Sequence, residues 1–200
     1  QLYTAFNRFY CKVFLTEALE YFGGAASRCM IDNTSVIVAR GTGKNAVMAP
    51  EMVAFSDRFG FEFVAHALGD ANRSAYVERP FWYIETNFYP GRSFVDLKDL
   101  NAQMRAWCDR VNGKRKRTIR AKPIELFAVE RTSLRPLPLY VPEVYEPNKR
   151  TVDAEGYVSL HTNRYSAGEE LIGREVQVRE TRDKVFIYHG HKLDCEHDRV

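Results

Sequence analysis

The sequence predicts an α/β fold followed by a small, separate all-β unit. Three observations carry this. Helix-like and strand-like patterns alternate from Asn7 to Ala65, which fits strands layered with helices and not a helix bundle. Beyond Arg150 the texture changes to short β-like runs broken by turn residues. Between the two lies a stretch rich in proline and positive charge, so the expected division is 1–112, 113–149 and 150–200.

The first helix is read over Asn7 to Phe22. Cys11, Phe14, Leu15, Ala18, Leu19 and Phe22 follow helical spacing, with Lys12, Thr16, Glu17 and Glu20 opposite. Gly23-Gly24 ends it, because glycine tolerates the left-handed conformation of a helix C-terminus. Arg28-Cys29-Met30-Ile31 then reads as a short buried strand that ends on Asp32 and Asn33. The first polar group beyond such a strand emerges at the sheet edge where open α/β sheets bind ligands.

Ala39–Ala49 reads as a glycine-rich loop, and a short helix opens at Pro50 and closes near Gly60. Phe61–Ala65 reads as a further strand. Val77, Phe81, Ile84 and Phe88 form the apolar stripe of the next helix, while Glu78, Trp82 and Glu85 follow a neighbouring face. Pro80 is expected in a first helical turn, which places Glu78 at the positive end of the helix dipole. Leu97–Val111 is amphipathic, Pro123–Glu130 a short helix, and Pro136, Pro138, Pro142 and Pro147 stiffen an extended linker. The final unit reads as strands over Tyr157–Leu160, Glu175–Glu180 and Lys184–His189, forming a small barrel. Phe14, Leu15, Met30, Phe63, Val77, Phe81, Ile84 and Phe88 are the expected core of the first part.

Two hundred residues allow one or two domains with a sizeable core. No stretch of the sequence is apolar enough to span a membrane, and no signal pattern opens it. The chain begins at Gln1-Leu2-Tyr3 without an initiator Met and is read as a fragment of something longer. Cys11, Cys29, Cys108 and Cys195 have no paired spacing, which suits reduced cytoplasmic thiols better than disulfides. The net charge of +3 is uneven: Gly113–Arg150 holds ten basic and four acidic residues, leaving −3 elsewhere. A neutral body with a concentrated basic segment suggests a polyanionic partner. The run Lys114, Arg115, Lys116, Arg117, Arg120 and Lys122 is therefore the expected phosphate-backbone contact, a solvated loop being the alternative.

Asp32 at a strand end and Glu78 on a helix are two carboxylates of the kind a hard cation asks for. The plainer reading is a capping Asp and a solvated Glu. Gly41-Thr42-Gly43-Lys44 lacks the spacing of a phosphate-binding loop, since Val38 and Asn45 stand where it needs Gly and Ser or Thr. His189, His191, Cys195 and His197 match no common zinc spacing. No nucleophile elbow or catalytic Cys signature is present.

Longer runs carry a resemblance. These are Arg8–Leu19 before Phe22-Gly23-Gly24, then Asp32–Val36, Asn72–Arg79, Asn87–Arg92, Asp99-Leu100-Asn101 and Ala106–Asp109. Val141–Tyr145, Asn163–Ser166 and Leu171–Arg174 follow. Together they resemble the IstA-type insertion-sequence transposases of the DDE, retroviral-integrase-like superfamily. The resemblance implies a partial RNase H-like (integrase catalytic core) domain, incomplete at its N-terminus, then a linker and a small all-β SH3-like barrel.

It implies that Asp32 and Glu78 are the second and third acids of the triad, both metal ligands, with the first acid upstream of Gln1. Glu85 is the fallback third acid, since the Asp32–Glu78 separation is longer than is usual in integrases. Asn72 and Arg73, in the Glu78 run, are expected DNA contacts beside the basic segment. The implied cofactor is Mg²⁺ (or Mn²⁺), two ions in the complete protein, and the implied activity is cleavage and strand transfer at transposon ends. Implied partners are double-stranded DNA, an AAA+ ATPase helper and further copies of the chain on DNA, acting in the bacterial cytoplasm at the nucleoid. The fragment alone, lacking one acid, is expected to be inactive. A non-catalytic DNA-binding module and a metal-dependent nuclease are the competing readings.

Overall fold

The structure, a computed structural model, describes residues 1–67 and 71–200, and of residues 71–78 the backbone alone. It forms two compact units, Gln1–Leu139 and Tyr140–Val200. The basic segment and the short helix after it, up to Leu139, belong to the first.

Helix α1 (Arg8–Phe22) starts where the Asn7 side chain accepts the Tyr10 N–H at 2.9 Å and stops at Gly23, φ 71°. Side-chain capping satisfies one of the orphan donors of a first turn. Its buried residues are Phe9, Tyr10, Cys11, Val13 and Thr16. Apart from Cys11 this is not the expected stripe: Phe14 is 45% and Phe22 42% exposed. Apolar side chains cover so much of this helix that spacing alone cannot say which arc faces the core. The Phe14, Ala18 and Phe22 side instead lines a groove of about 300 Å³ with Met104 and Cys108.

Strand β1 (Arg28–Ile31) pairs in parallel with β4 (Glu62–Ala65), Arg28 opposite Glu62 and Ile31 opposite Ala65. The parallel pairing follows from the crossover through α2 (Pro50–Phe59), whose Phe55 and Phe59 pack toward Phe61 and Phe63. Phe63 is buried as expected, but Met30 is 45% exposed on β1. The expected loop Ala39–Ala49 is ordered as a small hairpin, β2 (Val38–Arg40) with β3 (Val47–Met48), around a 3₁₀ turn at Gly43–Asn45.

Helix α3 (Ala71–Asn87) corrects the placement of Pro80, which lies inside the helix and not in its first turn. Position 78 is therefore mid-helix, away from the helix dipole's positive end. A proline there removes one backbone hydrogen bond, a cost of about 3 kcal/mol in an exposed helix. Of the expected stripe, Phe88 is fully buried and Ile84 partly, but Phe81 is 62% exposed. Val77 lies outside the described side chains. Phe88 packs with Met104 and Trp107 of α4 (Leu97–Asn112), which begins where Asp96 accepts the Asp99 N–H at 2.7 Å.

Helix α5 (Pro123–Glu130) follows as expected. The chain after it returns to the end of α1, where Ala25 and Arg135 exchange both backbone hydrogen bonds at 2.9 Å. Gly24 allows that approach, since a Cβ there would stand 2.7 Å from the Leu134 Cβ.

The second unit is built on a four-stranded antiparallel sheet in the order β10 (Lys192–Asp198), β9 (Lys184–His189), β8 (Glu175–Glu180), β5 (Glu146–Thr151). A hairpin, β6 (Tyr157–Leu160) with β7 (Asn163–Ser166), contributes Val158, Leu160 and Tyr165 to a core shared with Val176, Val178, Val185 and Ile187. No closed barrel forms among the described residues, because the hairpin packs through side chains and does not pair with the sheet edges. The buried Glu180 carboxylate bonds Arg199 at 2.7 Å and His161 at 3.0 Å. That satisfies a charge which would otherwise be costly to bury.

Candidate functional site

Asp32 is the first residue beyond β1, exposed at the carboxyl end of the parallel pair. Its Oδ1 accepts the Thr34 N–H at 3.2 Å, turning the chain away from the strand, and it makes no ion pair among the described residues. Asn33 fixes this corner: its Nδ2 donates to the His66 carbonyl at 3.2 Å, and its Oδ1 accepts the Gly43 N–H at 3.0 Å. The ends of both strands and the 3₁₀ turn are thus tied through one side chain, which sequence reading did not single out. The Gly43 N–H is already bonded and so is not free to hold a phosphate.

Position 78 lies on α3, and the side chains of Glu78, Asn72 and Arg73 lie outside the described residues. Glu85 is exposed two turns further on, roughly 10 Å along the helix. Asp32 offers what a hard cation takes, an exposed carboxylate that no described cation pairs. Among the described residues no three His, Cys, Asp or Glu side chains converge. Cys195 and His197 instead both reach the Ser166 carbonyl, at 3.1 and 2.7 Å.

Burial pushes the Cys11 thiol up to about 11, and burial with the neighbouring Asp194 pushes Cys195 up to about 12. Cys29 and Cys108 are raised by burial too. A nucleophilic cysteine needs the opposite shift.

The basic run follows α4 as a tight turn, closed where the Lys116 N–H donates to the Ala121 carbonyl at 2.9 Å, with Arg120 at φ 51°. Lys114, Arg115, Arg117 and Arg120 are exposed, and with Lys116 they form no ion pair among the described residues. Lys122 is paired, to Glu125 at 2.9 Å. The turn packs on α3, with the Lys116 ammonium 5.4 Å from the Tyr83 ring centre. Lys116 of the basic run is therefore brought onto the helix that carries position 78. The charge separates the same way. The first unit holds twenty basic and fourteen acidic residues, the second nine and twelve. No described helix is long and apolar enough to cross a membrane.

The sequence profile described as Mu transposase, C-terminal domain, matches residues 137–200. The chain is 30% identical over 186 residues to the transposase for insertion sequence element IS21 of Pseudomonas aeruginosa, covering 92% of this chain and 48% of that protein. It is 30% identical over 180 residues to the transposase for an IS21-like element of Bacteroides fragilis, covering 86% and 34%. The transposase for insertion sequence element IS232 of Bacillus thuringiensis subsp. berliner is 26% identical over 190 residues, covering 92% and 44%. The chain spans about half or less of the length of these relatives.

Proposed function

From a chain related along most of its length to insertion-sequence transposases, we propose a part of a DNA transposase that cuts and joins strands at insertion-sequence ends. The observation that carries this is Asp32, an exposed carboxylate at the carboxyl edge of a parallel strand pair, with a turn of cations in the same unit, none of them ion-paired among the described residues save Lys122. In this reading β1, β4 and the helices around them belong to an RNase H-like core, and the second unit is an SH3-like module left open. Asp32 and Glu78 would hold Mg²⁺ or Mn²⁺, which supplies activation of a water or 3′-hydroxyl and stabilisation of the leaving oxygen. The first acid of the triad belongs to the part of the relatives that this chain does not span.

The chain's own residues supply position. Asn33 holds the Asp32 corner against His66 and Gly43, and the Lys114–Arg117 turn takes the phosphate backbone. An AAA+ helper and further copies of the chain are the proposed partners on DNA.

The test uses a polypeptide built out to the length of the relatives. Asp32→Asn and Glu78→Gln should each abolish cleavage and joining while sparing DNA binding, and Glu85→Gln should have a much smaller effect. Lethality of Glu85→Gln with a mild Glu78→Gln would move the third acid to Glu85. Cleavage without joining of a donor 3′ end to target would mean a nuclease, and full activity of Asp32→Asn would refute the proposal.

A further inference from the structure

Below the Asp32 corner in chain order, α3 exposes an aromatic segment that its core does not use. Trp82 is 65% exposed, and it stands one turn, about 6 Å, along the helix from position 78. Trp82, Tyr83, Arg79, Pro80 and Lys116 line an open cavity of about 590 Å³. Tyr83 is its fixed wall, packed against the buried Trp107 with ring centres 5.6 Å apart while Lys116 covers its ring from another side. Among the described residues neither Arg79 nor Lys116 forms an ion pair and no carboxylate lines the cavity. Lys114, Arg115 and Arg117 continue the positive charge beside it.

We infer that this cavity takes an unpaired nucleotide of a DNA strand, its base stacked on Trp82 and its phosphate held by Lys116 and Arg79. A free aromatic face and unneutralised cations in one recess suit a nucleotide: every base has a π-face, and every phosphate asks for a cation. A base inside a duplex has both faces covered by its neighbours, so the stacking half of the cavity is usable only by a nucleotide out of the helix. An acidic peptide would use the cations and leave the exposed indole without a partner. The inference rests on the reading of the chain as acting on DNA, and it assigns that action a subsite and a strand form. Trp82 is a positioning residue here: it would hold the nucleotide next to the strand being processed.

The chain contains two tryptophans, and Trp107 is only 7% exposed, so an emission change on adding DNA reports Trp82. The experiment titrates the full chain with single-stranded oligothymidine and with a blunt duplex of equal length, following emission and, by anisotropy of a labelled strand, affinity. The single strand should quench the emission and the duplex should not. Trp82→Ala should lose roughly 5- to 150-fold in single-strand affinity, the range that one stacked base is worth. Its duplex affinity should stay within about twofold, and Trp82→Phe, which keeps a π-face, should recover most of the loss.

Unquenched emission at saturating single strand, or single-strand affinity unchanged in Trp82→Ala, overturns the inference while duplex binding leaves the DNA reading standing. Binding of neither strand form by the wild type would overturn both. Equal losses for single strand and duplex in Trp82→Ala would show a general surface effect and overturn the stacking assignment.

Discussion

The turn from Lys114 to Lys122 separates a DNA interface from a merely solvated loop, because its cations are not equivalent. Among the described residues Lys114, Arg115, Lys116, Arg117 and Arg120 make no ion pair, whereas Lys122 is held by Glu125 at 2.9 Å. Each cation that neutralises a phosphate contributes about 0.9 to the slope of log affinity against log salt. Replacing Lys114, Arg115, Lys116 and Arg117 with Ala should therefore flatten the slope by up to about 3.6. Between 50 and 200 mM salt, the wild type should then lose up to roughly 150-fold more affinity than the variant.

Lys122→Ala should change the slope by less than Arg117→Ala, because Lys122 already has a carboxylate for company. Conversely, Glu125→Ala should release Lys122 and steepen the slope by up to about 0.9. Anisotropy titrations of a labelled duplex at four or five salt concentrations read all of these. A quadruple variant with the wild-type slope would refute the reasoning, and so would Lys122→Ala matching Arg117→Ala.

Two further outcomes concern stability. Arg199→Ala leaves the Glu180 carboxylate, 3% exposed, with His161 alone, and breaking a buried pair costs about 3–5 kcal/mol. With Arg199 itself 23% exposed the lower end applies, about 3 kcal/mol, or a melting shift of the second unit of about 12–24 °C by circular dichroism. Lys149→Ala, which breaks the exposed pair with Glu175, should shift it by no more than about 1 kcal/mol; equal shifts for the two would sink the argument. Cys11 titrates near 9.0 when unfolded and about 11 in the fold, so the folded state holds its proton more tightly. That contribution is complete below pH 9 and disappears as pH rises through 11, at most about 2–3 kcal/mol. Denaturant midpoints of Cys11→Ala should accordingly fall less steeply than the wild type's over that window.

Local chemistry along the chain is what the sequence by itself determined. Gly23, Pro50 and Gly60 mark helix ends because capping and backbone freedom act over three or four residues, and those ends stand where expected, as do the helix starts at Leu97 and Pro123. The strand ending on Asp32 and the three strand runs of the second unit were legible for the same reason. The chain's relationship to insertion-sequence transposases was readable from long runs of residue identity. Strand β10 was not, since Lys-Leu-Asp-Cys-Glu-His-Asp carries little β propensity of its own and is a strand only because β9 lies beside it.

Only the tertiary structure decided which arc of α1 is buried, since apolar spacing constrains a helix's period but not its rotation against neighbours. It placed Pro80 inside α3, although local rules treat a proline in a helix interior as prohibitive. It left the second unit open, a property of which strand edges meet and not of any strand alone. It also brought Lys116 onto Tyr83 and left Trp82 bare beside them, joining the basic turn to the helix of Glu78. A charge run and an aromatic stripe, more than thirty residues apart in the chain, form one recess only when α4 folds back along α3.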